Sequence, residues 1–281
     1  MLRSLFSAIS GLRANQTMLD VTGNNIANAN TAGFKGSNVV FQDTLSQMLT
    51  GASAPAGTSG GTNPIQVGLG VSVGGTTGNF NQGSAQTTGR ATDLMIQGDG
   101  FFILDRDGES LYTRAGAFSF DMAGNLVSLD GDLVQGYLAD AAGNINPAGA
   151  PQGLRIPELV DPNSGLVTYS IGGDGLITGV FDDGSRRSLA QLALADFVNP
   201  EGLERAGDTA FRASTNSGAA QVGAAGSGRL GTITGGALEM SNVDLAQEFT
   251  NLIVAQRGFQ ANSRVITTSD EVLQELVNLK R

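Results

Sequence analysis

The stretch 241–281 carries the pattern that most constrains the fold of this chain. Seam positions recur there at alternating steps of four and three residues, a spacing typical of coiled coils. The series is Leu245, Phe249, Leu252, Gln256, Phe259, Ser263, Ile266, Asp270, Leu273 and Val277. We therefore predict one helix of about 60 Å, since each helical residue advances the chain by about 1.5 Å. Ser241 followed three residues later by Asp244 predicts a capping-box start at Ser241.

The beginning of the chain repeats this pattern over a predicted helix at 3–28. Its seam contains Leu5, Ile9, Leu12, Gln16, Leu19, Gly23 and Ile26. Two interpretations are open. The helices form an intramolecular pair that covers a core, or the two ends pair with each other and with further copies of the chain. We favour the second, because so narrow an apolar stripe does not bury two long helices within a monomer.

The end of the first predicted helix is unusual in its amide content. The segment 23–28 reads GNNIAN, whose glycine and asparagines are poor helix formers. Either this end frays, or its small amide side chains allow neighbouring helices to approach closely and to hydrogen-bond to one another. On the second interpretation Asn24, Asn25 and Asn28 help to set subunit contacts, and Phe34 follows the turn that ends the helix.

The middle of the chain reads as all-β, with short apolar runs separated by glycine and aspartate turns. Glycine makes up 41 of the 281 residues. Hairpin signals occur at Asp107-Gly108 and at 123–125. The predicted strands are 93–97, 101–105, 110–113, 118–121, 126–129, 133–138, 167–171, 177–181 and 189–197.

These elements predict an α+β fold in which long terminal helices pair as a coiled coil and a central all-β domain lies between them. Residues 1–78 and 237–281 form the inner helical part. Residues 79–211 form the β domain, and 212–236 form a connector rich in Gly, Ala and Ser. Within the first part, 51–64 has the composition of a flexible linker.

Composition excludes most enzyme classes. The chain has no cysteine and no histidine, which removes thiolate metal sites, the Cys nucleophile and the commonest general base. Nine basic and 18 acidic residues lie between 51 and 237, whereas nucleic-acid binding needs clustered Lys and Arg. We expect no enzymatic activity, no cofactor and no bound metal.

Two acidic turns resemble calcium-binding loops only weakly. Residues 105–108 and 172–175 each combine aspartate with glycine, but both lack the full ligand set and the terminal bidentate glutamate. We interpret them as ordinary hairpin turns. Adjacent residues of an extended chain point to opposite faces, so we do not expect Asp182 and Asp183 to form an acid pair.

The first thirty residues do not have the pattern of a cleaved secretory signal. Their apolar positions are amphipathic and are interrupted by Arg3 and Arg13. No run in the chain approaches the length of about 18–20 apolar residues that a membrane span requires.

Six segments resemble a known family. The two longest are LDVTGNNIAN at 19–28 and IVAQRGFQANS at 253–263. The others are 31–35 (TAGFK), 97–102 (QGDGFF), 199–203 (NPEGL) and 238–245 (LEMSNVDL). Together they resemble the bacterial flagellar rod and hook proteins over nearly the whole chain.

That resemblance implies a structural subunit of the flagellum, exported unfolded by the flagellar type III apparatus without a cleaved signal peptide. Such subunits stack into a helical tube outside the cell, with terminal helices around a channel and β domains outside. The implied partners are copies of the chain itself, the distal rod protein, the hook cap protein and the hook–filament junction protein. The candidate interface residues are Leu5, Ile9, Leu12, Leu19, Asn24, Asn25, Ile26, Asn28, Phe34, Leu245, Phe249, Leu252, Gln256, Phe259, Ile266 and Leu273.

Within the family, the segments 170–175, 189–197 and 275–279 look more like hook proteins than distal rod proteins. The first expectation is therefore a hook subunit, whose curved tube acts as a universal joint that transmits torque from rod to filament. The alternative is a distal rod subunit, a stiff driveshaft built from the same parts. A further alternative from another class is a glycine-rich β adhesin, in which the helices merely anchor a binding surface.

Overall fold

A computed structural model describes residues 2–55, 60–140, 143–147, 149–156 and 165–279. It contains two long helices and an extensive antiparallel β region, which confirms the α+β class. The chain divides into two compact units. The helical unit comprises Met1–Ala27, Ser37–Gly78 and Val243–Arg281, and the β unit comprises Asn28–Gly36 and Asn79–Asn242.

The helical unit is built from the two helices and two antiparallel strand pairs. Its elements are α1 (Leu2–Ala27), α2 (Leu245–Asn278), β1 (Ser37–Asp43), β2 (Ser46–Thr50), β3 (Ile65–Gly68) and β4 (Val71–Gly78). Strand β1 pairs with β4, and β2 pairs with β3. Neither helix has the length and apolar character needed to cross a membrane.

The predicted linker at 51–64 is the connection of the β2–β3 hairpin. The backbones of Ser53 and Thr62 bond to each other in both directions at 3.0 and 3.1 Å, which extends the pairing beyond the strands. Residues 56–59 lie outside the described residues.

Helix α2 begins later than the capping-box pattern predicts. Its N-cap is Asp244, whose carboxylate accepts hydrogen bonds from the backbone amides of Ala246 and Gln247. The prediction of a start at Ser241 is therefore wrong. A carboxylate that accepts two amides of the first turn caps the helix by itself and also complements its dipole, so no hydroxyl upstream is required.

The β unit is dominated by a 12-stranded antiparallel sheet. Its central strand is Arg186–Asp196. That strand pairs along its length with Leu176–Phe181, Leu133–Leu138, Phe101–Arg106 and Gln221–Ala224. The strands are β5 (Ala85–Thr87), β6 (Leu94–Gln97), β7 (Phe101–Arg106), β8 (Glu109–Thr113), β9 (Phe118–Phe120), β10 (Leu126–Ser128), β11 (Leu133–Leu138), β12 (Gln152–Gly153), β13 (Leu166–Ile171), β14 (Leu176–Phe181), β15 (Arg186–Asp196), β16 (Glu204–Gly207), β17 (Ala210–Arg212), β18 (Gln221–Ala224), β19 (Thr232–Gly235) and β20 (Ala237–Glu239). All nine predicted strands are present.

The hairpin signals of the sequence also hold. Asp107 and Gly108 both adopt positive φ, at 54° and 87°, between β7 and β8. The carboxylate of Asp105 accepts the Gly108 amide at 2.8 Å, as in an ordinary turn. In the second turn Asp121 Oδ1 accepts the amides of Ala123 and Asn125.

The segment expected to be a connector, 212–236, is part of the β unit. Strand β18 pairs with β15, β19 pairs with β6, and Ile233 is 3% exposed in the core. The next strand, β20, pairs with β5, so the chain joins the helical unit only at Val243. Alternation over three or four residues is too short a signal to separate such strands from a connector.

Two apolar clusters fill the β unit, and the second is rich in aromatic side chains. Tyr112 packs edge-to-face on Phe197 with ring centroids 4.7 Å apart, and Phe101 packs on Phe197 and Phe211. Tyr137 lies in the same cluster. Burial raises the pKa of both tyrosines above the usual value.

We expect this burial to produce alkaline destabilisation. Above about pH 10 the unfolded chain ionises its tyrosines while the folded chain keeps Tyr112 and Tyr137 protonated. The stability they contribute is complete below that pH and is lost as pH rises through their folded pKa. Urea unfolding followed by circular dichroism tests this: the Tyr112→Phe, Tyr137→Phe double variant should lose less stability above about pH 10 than the native chain. Equal losses would contradict the assignment.

Candidate assembly surface

The two helices of the helical unit touch at two reciprocal glycine–asparagine contacts. A Cβ placed on Gly11 would lie 2.7 Å from Nδ2 of Asn262, and one placed on Gly258 would lie 2.7 Å from Oδ1 of Asn15. The step of one turn from Gly11 to Asn15 along α1 therefore matches the step from Asn262 back to Gly258 along α2. The two helices are antiparallel. At either position, an added Cβ would require the facing asparagine side chain to shift.

Asn25 continues the same register at the other end of α1. Its Nδ2 donates to Oε1 of Glu248 at 3.0 Å and to the carbonyl of Ser37 at 2.8 Å. Its Oδ1 accepts the Ser37 amide at 3.1 Å. One amide side chain, 2% exposed, thus joins α1, the start of β1 and the first turn of α2.

The seam between the helices combines small and polar side chains with some large apolar ones. Ala8, Thr22 and Ala255 are 4%, 4% and 0% exposed. Buried or half-buried positions along α2 are Glu248, Asn251, Leu252, Ala255, Gly258, Asn262, Ile266, Ser269 and Leu273. The helices approach closely at Gly11 and Gly258, and Leu252, Ile266 and Leu273 are half-buried on the same helix as Gly258.

The sequence-predicted interface residues divide into three groups. Asn25 and Phe34 are buried. The exposed group is Asn24, Leu245, Phe249, Gln256 and Phe259. The half-buried group is Leu5, Ile9, Leu12, Leu19, Ile26, Asn28, Leu252, Ile266 and Leu273. Asn28 and Phe34 belong to the β unit rather than to the helices.

Four of the candidate interface residues on α2 are therefore exposed within one chain. Leu245, Phe249 and Phe259 are 42%, 51% and 39% exposed, and Gln256 is exposed as well. Contacts of these four residues with other copies remain a prediction.

Sequence reasoning missed the residues that form the close contacts, namely Gly11, Asn15, Glu248, Gly258 and Asn262. A signal for two of them was available. Glycine inside a helix costs about 1 kcal/mol relative to alanine, so Gly11 and Gly258 indicated a packing constraint. Gly23, whose small size the sequence analysis noted, has open space where a Cβ would lie.

Exposed apolar side chains are concentrated on the helical unit. Of the 25 large apolar residues exposed among those described, 19 belong to it. Phe6, Phe249, Ile253 and Val254 are each more than half exposed. Contiguous exposure on this scale is typical of a surface that another molecule covers.

A buried ion cluster lies within the β unit. Nζ of Lys35 is 2.6 Å from Oε1 of Glu239, and Nη1 of Arg114 is 3.4 Å from Oε2 of the same carboxylate. Their side chains are 0%, 4% and 0% exposed for Lys35, Arg114 and Glu239. The Gly83 amide also donates to Oε1 of Glu239, and Nζ of Lys35 also donates to the Asn81 carbonyl.

The cluster joins chain segments that are distant in sequence. Lys35 follows α1, Arg114 follows β8 and Glu239 ends β20. Burial lowers the pKa of Lys35 and of Arg114, and the Glu239 carboxylate opposes both shifts. The Glu239 carboxylate thus contacts both buried cations, and Asp99 and Asp196 also favour the charged form of Arg114.

The segment that carries Lys35 is held at further points. Gly33, with φ of 71°, donates its amide to the Glu239 carbonyl at 2.7 Å. The guanidinium of Arg205 lies 5.0 Å from the Phe34 ring centroid and bonds to the Lys35 carbonyl. These contacts fix 28–36 in the β unit.

Three protein-family models match the chain. The model described as flagella basal body rod protein matches 5–35. The model described as flagellar hook protein FlgE/F/G D1 domain matches 95–179, and flagellar basal body rod FlgEFG protein C-terminal matches 234–279. Lys35, Arg114 and Glu239 each fall in a different one of these three regions.

Similar proteins match along their full lengths. The flagellar basal-body rod protein FlgG of Bacillus subtilis is 48% identical over 282 positions, covering all of both chains. FlgG of Borreliella burgdorferi is 37% identical over 285 positions, again covering both completely. The flagellar hook protein FlgE of the same organism is 33% identical over 441 positions that also cover both chains. Since this chain has 281 residues, at least 160 of those 441 positions have no counterpart in it.

Proposed function

Because this chain belongs to the flagellar rod and hook axial protein family, we propose that it is a subunit of the distal rod, the stiff driveshaft of the flagellar basal body. The observation that carries the proposal is length. The rod relatives align from end to end with almost no gap, whereas the hook relative needs a long insertion. A hook subunit, which the sequence segments favoured, becomes the second candidate.

The assembly mechanism follows from the exposed apolar surface of the helical unit. Ordering chain ends costs roughly 1–2 kcal/mol per residue, so the helices gain stability when neighbours cover their apolar faces. Such contacts between unlike surfaces of identical subunits build an open helix when the rotation between successive copies does not close into a ring. In the proposed tube, helices of successive copies pack as coiled coils around a channel, and the β units form the outer layer.

The family is one of structural components of the flagellum, and our proposal adds an export route and a location. The subunit leaves the cell unfolded through the flagellar type III apparatus and polymerises outside the cytoplasm. The hook cap and the hook–filament junction are partners under the hook alternative.

Electron cryo-microscopy of tubes polymerised from the purified protein tests the assignment. We expect straight, stiff tubes with the helices around a channel. Curved or flexible tubes would support the hook instead. A protein that remains monomeric at high concentration would contradict the polymerisation mechanism.

The exposed phenylalanine on α2 provides a sharper test of that mechanism. Phe249→Asp should leave the stability of the monomer within about 0.5 kcal/mol, because the side chain is half exposed. It should raise the concentration needed for polymerisation at least about tenfold, which corresponds to about 1.4 kcal/mol per contact. Light scattering and sedimentation measure the amounts of monomer and polymer for the variant and the native chain.

A matched control places the same charge on the β unit. Met122 is 95% exposed at a turn, and Met122→Asp should leave polymerisation unchanged. Tubes formed equally well by Phe249→Asp and the native chain would remove Phe249 from the assembly surface.

A further inference from the structure

A groove on the helical unit lies between α1 and the start of β4. Its volume is about 520 Å³, and Phe6, Ile9, Ala14, Val71 and Val73 contribute apolar walls. Arg13 is the charged residue in its lining. The Arg13 side chain is exposed and makes no salt bridge among the described residues. The groove therefore combines an apolar floor with one available positive charge.

The end of α2 extends past the start of α1. The contacts of Gly11 with Asn262 and of Asn15 with Gly258 fix the antiparallel register. If this register continues to Leu2, where α1 begins, the residue of α2 that lies opposite is Glu271. Residues 272–278 therefore continue beyond the point where α1 begins.

This overhanging end carries an apolar stripe. Val272, Leu276 and Leu279 are 40%, 48% and 82% exposed. Together with Glu275 they follow the i, i+3, i+4, i+7 spacing by which an amphipathic helix enters a groove. Residues 270–279 contain three acidic residues and no basic one.

We propose that the overhanging end of α2 docks in the α1–β4 groove of a second copy. Val272, Leu276 and Leu279 bury their side chains against the apolar walls, and Glu275 pairs with Arg13. Apolar burial supplies the free energy, while the single charge pair fixes the register of the docked helix. The proposal deepens the proposed function and rests on it, since it names one contact through which subunits join.

Both halves of this contact are carried by the same chain. An end that docks in the next copy leaves its own groove open for the copy before it. This head-to-tail relation is heterologous, the kind of contact that extends into a tube when the rotation between copies does not close into a ring. The complementary charges favour a second copy as the occupant over an unrelated apolar segment.

Charge reversal tests the pairing. Arg13→Glu and Glu275→Arg should each raise the polymerisation threshold at least about tenfold. A mixture of the two variants should recover assembly, because each then finds an opposite charge on the other. Arg3→Glu and Asp270→Arg are the matched controls and should assemble normally. Failure of the mixture to assemble, or normal assembly of both single variants, would overturn the charge pair.

Disulfide crosslinking tests the docking independently of tube formation. The native chain has no cysteine, so introduced thiols report unambiguously. Thr17→Cys in one copy and Leu276→Cys in another should crosslink into a mixed dimer on mild oxidation, whereas Thr17→Cys with Thr267→Cys should not. Absence of the Thr17–Leu276 crosslink while the native chain forms tubes would refute the docking and leave the proposed function standing. Absence of native tubes would contradict the proposed function, and the crosslink would still decide the docking.

Discussion

Glu239→Gln is expected to destabilise the β unit by about 3–5 kcal/mol, the range for removing one partner of a buried ion pair. The substitution preserves the shape of the side chain and removes its charge. Lys35 and Arg114, with side chains 0% and 4% exposed, then retain two positive charges without a compensating carboxylate in contact. Urea unfolding followed by circular dichroism measures the loss.

Two comparison variants separate burial from charge. Glu109 pairs with Arg212 where both side chains are about half exposed, so Glu109→Gln should cost less than about 1 kcal/mol. Lys35→Met leaves Glu239 paired with Arg114 and should cost less than Glu239→Gln. A loss for Glu239→Gln no larger than that for Glu109→Gln would show that the buried cluster does not anchor the chain segments it joins.

The expected loss also has a consequence for assembly. Residues 28–36 and 237–242 connect the β unit to α1 and α2, and Lys35 and Glu239 hold these two connections in the β unit. The proposed driveshaft requires the helices and the β unit to move together. We therefore expect Glu239→Gln subunits to form weaker tubes even where they still polymerise.

The strands of the β unit could be predicted from the sequence because each carries its own local signal. Short apolar runs between turn residues mark the strands, and Asp107-Gly108 marks a turn through the positive φ that glycine adopts readily. These signals need no knowledge of the partner strand. They do not specify which strands pair, so they could not predict that β15 pairs with four other strands.

The helix seam shows where local pattern fails. Large apolar residues at four-three spacing, such as Leu245 and Phe249, indicate an apolar surface but not what covers it. Within one chain the helices meet through Gly11, Gly258 and their asparagine partners instead. Sequence alone does not rank a contact within the chain above one between copies.

The ion cluster was beyond sequence reasoning for a different reason. Lys35 and Glu239 are separated by most of the chain, and a single charged residue near a turn is normally solvated. The segments that contain them, 31–35 and 238–245, were recognised only through the family resemblance. In the structure these two motifs meet in the buried salt bridge between Lys35 and Glu239.

Gly11→Leu is expected to separate the two helices and to abolish tube formation. A leucine side chain at this position starts from a Cβ only 2.7 Å from the Asn262 amide, so Asn262 or the helix must move. Overpacking of this kind costs about 1–3 kcal/mol. Gly258→Leu meets Asn15 in the same way and should give the same result.

Gly23→Leu is the matched control for this prediction. It introduces the same side chain into the same helix, but nothing lies within 4 Å of the new Cβ. Removing a helical glycine should there stabilise α1 by about 1 kcal/mol. Thermal unfolding of the helical signal measures the change in stability for each variant. A loss for Gly11→Leu together with a gain for Gly23→Leu would show that helix separation rather than helix propensity limits assembly. Normal tubes from Gly11→Leu would instead mean that assembly depends on the exposed apolar faces alone, and that the close seam within each chain is dispensable.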